Sequence, residues 1–345
     1  MTTPTMTPLA IKSILQAIAS GRSLSADEAA HAVDVLTNEA TPAQMGAFLM
    51  GLRVRGETVD EITGAARTLR AKMMPVAVAP GAIDIVGTGG DGHGTFNVST
   101  GAAIVAAGAG LKVAKHGNRS VSSLSGASDV LSALGVKLDC GPDAIVRAVD
   151  EAGVGFLWAP AHHPAMKAWA GARGDLGIRT LFNLLGPICN PAGVKHHVLG
   201  VFAPEWVEPI AEVLRALGSE RAWVVHGHDG LDELSTTGPT TVAELKDGAI
   251  TTFEVTPEDA GLPRVALAGL KGGDGAHNAD ALRGLLAGNP GPYRDIVLLN
   301  TAAALVVAGR AASLREGVSL AAEAIDTRRA AEALERLVAI SNKAV

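Results

Sequence analysis

Three polar clusters in this chain combine residue types that bind oxyanions and hard cations. The first runs from Gly87 to Thr100 and reads GTGGDGHGTFNVST, with five glycines among the eight residues Gly87 to Gly94. Glycines let backbone N–H groups approach a ligand with no Cβ in the way, and the helix start that follows offers unpaired donors and a positive dipole end. Asn97, Ser99 and Thr100 add donors where oxyanions would lie. The spacing matches neither G-x-G-x-x-G nor G-x-x-x-x-G-K-[ST], so the two common nucleotide loops are poor fits. The second cluster, Lys115 to Leu131, reads KHGNRSVSSLSGASDVL. Lys115 and Arg119 supply charge there, and Ser122 and Ser123 supply donors, for a second anion cradle. The third, Gly227 to Ser235, reads GHDGLDELS and sets the carboxylates of Asp232 and Glu233 side by side, the hard oxygen ligands that magnesium prefers.

Each cluster has a plainer reading: a capped glycine turn, a solvated basic loop, a solvent-facing acid pair. Two anion loops at successive strand ends, with an acid pair opposite, point instead to one ligand bridging them. The periodicity supports that placement. A short β-branched strand, Ile83 to Val86, runs into the glycine loop, and an alanine-rich helical pattern leaves it from Gly101. Strands are then expected at Leu111–Ala114, Gly135–Leu138 and Val154–Trp158, alternating with helices at Ser128–Leu134 and Asp143–Glu151. Ala170–Leu185 reads as helix, broken by Pro187 to Pro191. Val198–Phe202 and Ala222–Val225 resume the strands around an amphipathic helix, Glu205–Leu217. Thr236–Val255 mixes short β-rich runs with turns, and the chain from Asp280 is mostly helical. This is the pattern of an α/β domain with a largely parallel sheet, in which ligands collect at the carboxyl ends of the strands.

Four helices precede any strand. Leu9–Ile18 carries apolar residues at helical spacing, Ser25 to Glu28 and Thr58 to Glu61 are capping boxes, and Thr41-Pro42 is an N-cap followed by proline. Wide apolar faces such as Met45, Phe48, Leu49 and Leu52 predict that this piece packs on itself and on another subunit. Pro75 to Gly81 reads as a linker or hinge. With 345 residues, 48% of them hydrophobic, the chain can bury a large core and is long enough for two domains. A net charge of −6, 3% aromatic content and no basic stripe argue against nucleic acid as a partner. Cys140 and Cys189 stand apart without C-x-x-C spacing, as buried, inert thiols of a reducing compartment would. No targeting segment or membrane span is evident, so a cytoplasmic protein is expected.

On these motifs the chain resembles the anthranilate phosphoribosyltransferases, which join anthranilate to phosphoribosyl pyrophosphate (PRPP) and release pyrophosphate in tryptophan biosynthesis. The resemblance rests on GTGGDG, TFNVST, KHGNR, HHPAM at His162–Met166, RTLFNLLGP at Arg179–Pro187 and NTAAAL at Asn300–Leu305, and it covers nearly the whole chain. It implies a small N-terminal α-helical domain, 1–74, completed by a middle helical segment at about 168–190, and a large α/β domain, 75–167 and 191–345, with a central mostly parallel sheet flanked by helices. It also implies a homodimer through the helical domains and a loose association with anthranilate synthase components. To PRPP it assigns Gly87, Gly90, Asp91, Thr95, Asn97, Val98, Ser99 and Thr100, then Lys115, His116, Gly117, Asn118, Arg119, Ser120, Val121, Ser122 and Ser123. Gly87, Asn118 and Arg173 would face anthranilate, with Arg173 receiving its carboxylate. Ser99, Asp232 and Glu233 would bind two magnesium ions, and Lys115, Arg119 and Glu233 would be catalytic. One departure is local: the family usually reads Gly-Ser-Ala-Asp where this chain has Gly126-Ala127-Ser128-Asp129, which leaves Ala127 a backbone contact to PRPP.

Loss of pyrophosphate leaves an oxocarbenium-like sugar, so stabilising the leaving group should matter more than making a strong nucleophile. Anthranilate's amine is neutral at pH 7, and no general base is assigned; structural or substrate-contacting roles suit His116, His162 and His163 better. Two rival readings are a pyrimidine nucleoside phosphorylase and a nucleic-acid-binding paralogue. Asn118 and the chain length argue against the first, and the acidic charge balance argues against the second.

Overall fold

The structure, a computed structural model, describes residues 10–119 and 124–343. It divides into two compact units, one of residues up to Met74 with His163–Cys189, the other of Pro75–His162 with the chain from Asn190. The middle segment of the helical unit is therefore 163–189, against about 168–190 expected. Asn190 falls in the α/β unit because its amide donates to Asp84 Oδ2 at 2.7 Å and to the Ala114 carbonyl at 2.8 Å there.

The helical unit holds Ile11–Ala19, Ala26–Glu39, Pro42–Arg55 and Val59–Lys72, followed in the middle segment by Pro164–Lys167, Ala170–Leu176 and Leu181–Ile188. Ser25, Thr41 and Thr58 each accept the backbone N–H three residues on, and Glu28, Gln44 and Glu61 return the bond. Each such cap contributes about 1 kcal/mol. Met45, Phe48, Leu49 and Leu52 are at most 5% exposed inside this unit, so that face is its own core and is not open to another subunit. Trp169 completes the core, its Nε1 donating to Thr37 Oγ1 at 2.9 Å between the rings of Phe48 and Phe182. The continuous helix expected over Ala170–Leu185 is two helices. The first ends at Gly177 in the left-handed region, the second starts at Thr180, capped by Asn183, and Pro187 lies inside it without breaking it.

The α/β unit is built on a seven-stranded sheet of β1 (Ile83–Gly87), β2 (Val113–Gly117), β3 (Val154–Trp158), β4 (His196–Gly200), β5 (Arg221–Gly227), β6 (Thr240–Lys246) and β7 (Ala249–Val255). Its order is β3-β2-β1-β4-β5-β6-β7, the first five parallel and the last two an antiparallel edge hairpin. Chain order runs outward from β1 to β3, then returns to β4 on β1's other side. That reversal opens a crevice at the carboxyl end of β1, where open α/β sheets take their ligands. The strand expected at Gly135–Leu138 is absent: Val136 plugs the core from a turn, and the Lys137 N–H goes to Ser341 Oγ rather than to a ladder. The helix expected over Asp143–Glu151 is Pro142–Arg147 followed by a π-helical turn, Ala148–Ala152.

The helix Val98–Gly108 is buried everywhere but Ser99. Helices Pro292–Val307 and Arg329–Asn342 close over it, and a Cβ on Gly108 would lie 2.6 Å from Ala330 Cα. Cys189 is fully buried, its thiol pushed up to about 12 by burial, but Cys140 is only half-buried, against the expectation of two buried thiols. No helix of the described residues is long and apolar enough to cross a membrane.

Candidate active site

Four parallel strands, β1, β2, β4 and β5, end in glycine: Gly87, Gly117, Gly200 and Gly227. Asp232 explains two of them. It packs over β1 and β4 so closely that a Cβ on Gly87 would lie 2.3 Å from its Oδ2, and one on Gly200 would lie 1.5 Å from its carbonyl oxygen. Gly87 and Gly200 are register partners across the two strands, so together they clear the floor on which the acid loop sits. Asp232 Oδ2 then accepts the Gly89 N–H at 2.6 Å, tying the acid loop to the glycine loop. Glu233 Oε1 accepts the Ser99 N–H at 3.3 Å, at the start of helix Val98–Gly108, where the dipole favours an anion.

Lys115 belongs to this acid group and not to an exposed basic loop. It lies in β2, 3% exposed, and its Nζ donates to the Ile85 carbonyl at 2.7 Å and to Ser99 Oγ at 3.3 Å. Ser99 thus touches both the lysine and Glu233. Burial drives the electrostatics. It pushes the Asp232 carboxyl up to about 6, with the charge of Asp91 adding to the rise. Burial, then the charge of Asp232, raises Glu233 well above the carboxylate range, while Lys115 pulls it back. Burial likewise lowers Lys115, opposed by Asp84, Glu233 and Asp232. Asp84, buried in β1, is raised to about 6 by burial although it accepts the His116 N–H and the Asn190 amide.

The glycine loop is held by its backbone. Gly89, Gly90, Gly92 and Gly94 all have φ between 60° and 78°, which side chains resist. Its second half is strapped by 270–272: Phe96 N–H donates to the Leu270 carbonyl, Gly272 N–H to the Gly94 carbonyl, and Lys271 Nζ to the His93 carbonyl at 2.8 Å. Thr95 forms the bridge to Lys271. Lys271 gives this loop a cation that no sequence motif flagged. Asp91 caps the turn by accepting the His93 N–H.

Three of the residues assigned to PRPP are turned inward. Asn97 directs its amide to the Ser125 carbonyl and to Asn278, Val98 is buried, and Thr100 is 1% exposed with its hydroxyl unpartnered. Of the basic cluster, His116 is buried, Gly117 ends β2, and Asn118 and Arg119 are exposed. Arg119 is 72% exposed and reaches Asp129 only at 3.8 Å. Ser120, Val121, Ser122 and Ser123 lie outside the described residues. Ala127 begins the helix Ala127–Ala133 against Gly117, and the Ser128 hydroxyl is fully buried without a partner, so the displaced serine faces the core. His162 and His163 are buried as well. Arg173 is in the helical unit, its guanidinium 5.1 Å from the Phe182 ring centre.

The donor set suits magnesium. Two adjacent carboxylates share one lysine; burial raises both, with the charge of Asp91 adding at Asp232 and that of Asp232 at Glu233, and a divalent cation beside them would favour their ionised forms. Among the described residues no three His, Cys, Asp or Glu side chains form a ready-made metal cage. Magnesium characteristically takes one or two carboxylates and completes its shell with water and substrate phosphates, so a two-acid site fits it.

Known proteins are similar to this chain over nearly its whole length. Residues 79–331 match the family described as "Glycosyl transferase family, a/b domain", and residues 12–73 match "Glycosyl transferase family, helical bundle domain". The anthranilate phosphoribosyltransferase of Bradyrhizobium sp. (strain BTAi1) is 62% identical over 333 residues, 96% of this chain and 99% of that one. That of Rhodopseudomonas palustris (strain BisA53) is 60% identical over 334 residues, 96% and 98% of the two chains. The crystal structure of the Thermus thermophilus enzyme superposes with a TM-score of 0.90 at 44% identity, covering 96% of this chain and 99% of that one. The Saccharomyces cerevisiae enzyme in complex with PRPP and Mg superposes at 0.87 with 31% identity, covering 96% and 97%. Relatives this similar along nearly the whole of both chains settle the descent: the chain belongs to the anthranilate phosphoribosyltransferase family.

Proposed function

We propose that this chain transfers the phosphoribosyl group of PRPP to the amine of anthranilate, giving N-(5-phosphoribosyl)anthranilate and pyrophosphate in L-tryptophan biosynthesis, and that the crevice at the end of β1 does the chemistry. The observation that carries it is the cluster of buried Lys115 and Asp232 with half-buried Glu233, joined through Ser99 and Gly89 to the glycine loop. The glycine loop from Gly87 to Thr95, together with Lys115, receives the phosphate oxygens. Lys115 commits two of its protons to Ile85 and Ser99, which fixes its ammonium and leaves the third for the leaving pyrophosphate. Charge held in place before reaction stabilises a dissociating transition state without reorganisation. Magnesium held by Ser99, Asp232 and Glu233, two ions in this reading, would supply further positive charge to the pyrophosphate.

Anthranilate's amine needs no deprotonation before attack, so positioning replaces a base. Arg173, stiffened by Phe182, takes the carboxylate, while Asn118 and Gly87 face the ring; Arg119 steers PRPP from the rim. Replacing Arg173 by Ala should raise the KM for anthranilate about tenfold or more and leave the KM for PRPP unchanged, the expected loss of a charge-assisted contact. A homodimer through the helical unit is part of the same proposal. Exposed Val54, at 80%, supports it, and sedimentation tests it.

Anthranilate's own fluorescence gives the direct test. Signal should fall only when enzyme, PRPP and magnesium are all present. A flat signal, with release of base from uridine or thymidine in phosphate, would establish phosphorolysis instead. The relatives' activity supports the transferase reading and not that alternative.

A further inference from the structure

The motif NTAAAL marks the family resemblance, yet the reaction as derived gives none of its residues a task. Asn300, its first residue, is fully buried in the middle of helix Pro292–Val307. Its side chain does not serve the helix alone. Oδ1 accepts the Leu234 N–H at 3.0 Å, and Nδ2 donates to the Leu234 carbonyl at 2.8 Å and to the Ile296 carbonyl at 2.9 Å. The amide therefore pairs with both polar groups of one backbone residue, as a neighbouring strand would, and that residue directly follows Glu233. Swapping its oxygen and nitrogen would set donor against donor, so the orientation is fixed.

The same helix reaches the facing loop. Two turns earlier, about 10 Å along its axis, Tyr293 donates its hydroxyl to the Asn97 carbonyl at 3.2 Å. Asn97 leads into Ser99, whose N–H meets Glu233. One helix thus grips the backbone on both sides of the Ser99–Glu233 contact. Upstream of the acid pair, Asp229 gathers the Ser235 and Thr237 hydroxyls, each at 2.6 Å, and the Leu231 N–H at 3.2 Å, so the loop is fastened before and after Asp232 and Glu233.

We propose that Asn300 is a positioning residue for the known reaction: by clamping Leu234 it sets where Glu233 presents its carboxylate, and so governs the affinity for PRPP with magnesium. This rests on the assignment of Glu233 to that site. Groups that orient a metal-binding carboxylate typically change affinity or activity 10- to 100-fold when removed.

The test compares wild type, Asn300→Leu, Asn300→Ser and Thr301→Val. Thr301 is equally buried on the same helix, but its hydroxyl faces Ala102. Calorimetric titration of PRPP in magnesium, thermal melting and steady-state kinetics are read on each protein. Cooperatively melting Asn300 variants should bind PRPP about tenfold or more weakly and need about tenfold more magnesium for half-saturation, with the anthranilate KM within about twofold of wild type. Thr301→Val should keep wild-type PRPP affinity. If Asn300→Leu does not fold, Asn300→Ser, which is smaller and still polar, carries the comparison. A folded Asn300 variant with unchanged PRPP and magnesium affinity overturns the proposal, and so does an equal loss in Thr301→Val. Failure of wild type itself to bind PRPP with magnesium would overturn the reading of the site instead.

Discussion

The acid loop, Gly227 to Thr237, and the basic loop that leaves β2 after Gly117 carry opposite charge and are built in opposite ways. In the acid loop Asp232 is 7% exposed, and Asp229 and Asn300 fasten its backbone on either side. In the basic loop Arg119 is 72% exposed, and among the described residues Asn118 accepts the Arg119 N–H through its side chain and the Ser128 N–H through its carbonyl. The cation that matters at depth, Lys115, belongs to the strand. Buried like charges raise one another's protonation and cost stability, whereas exposed ones cost almost nothing and are screened. The fold thus concentrates buried charge where, on the proposed reading, a metal and a pyrophosphate would relieve it, with capture proposed for the exposed Arg119.

The largest effects should come from the buried side. Glu233→Gln or Lys115→Ala should each lower turnover by about 10²–10³, the usual loss of one preorganised contact. Near-wild-type turnover of Lys115→Ala would erase the distinction between the two loops. Asp232→Asn should separate binding from stability. The Asp232 carboxyl holds its proton up to about pH 6 in the fold but only to about 3.8 in the unfolded chain. Between those values the unfolded state binds fewer protons, so stability falls as pH rises, and the full cost is present at pH 7. Without ligand, the Asn variant should therefore be more stable than wild type at pH 7.5 by about 1–3 kcal/mol, with the gain shrinking toward pH 4. Chemical denaturation across that range checks it, and the variant's magnesium-dependent PRPP binding should be lost. The smallest effect belongs to the rim. Arg119→Ala should leave the melting temperature unchanged and raise the KM for PRPP less than about tenfold, more in low salt than in high.

Local chemistry written in adjacent residues was legible without coordinates. The capping boxes at Ser25, Thr41 and Thr58, the strand Val154–Trp158 and the glycine loop all depend on spacing within a few positions, and they form as read. What failed was also local in origin. The run Gly135–Leu138 has strand-like residues but no neighbouring strand to pair with, and the paired prolines after Leu185 look like a break although Pro187 sits near a helix end. The acid pair could be named from its residue types, but that Lys115 joins it could not, because β2 and the acid loop are more than a hundred residues apart. Nor does sequence say that Asn97, Thr100 and Ser128 turn inward, since a polar side chain takes its direction from the packing around it. By itself the sequence determined the capped helices and the strands that end in the glycine and acid loops, the family and the chemical character of each loop. Only the tertiary structure decided which charges are buried together, because desolvation and its relief depend on neighbours brought in from distant strands and helices.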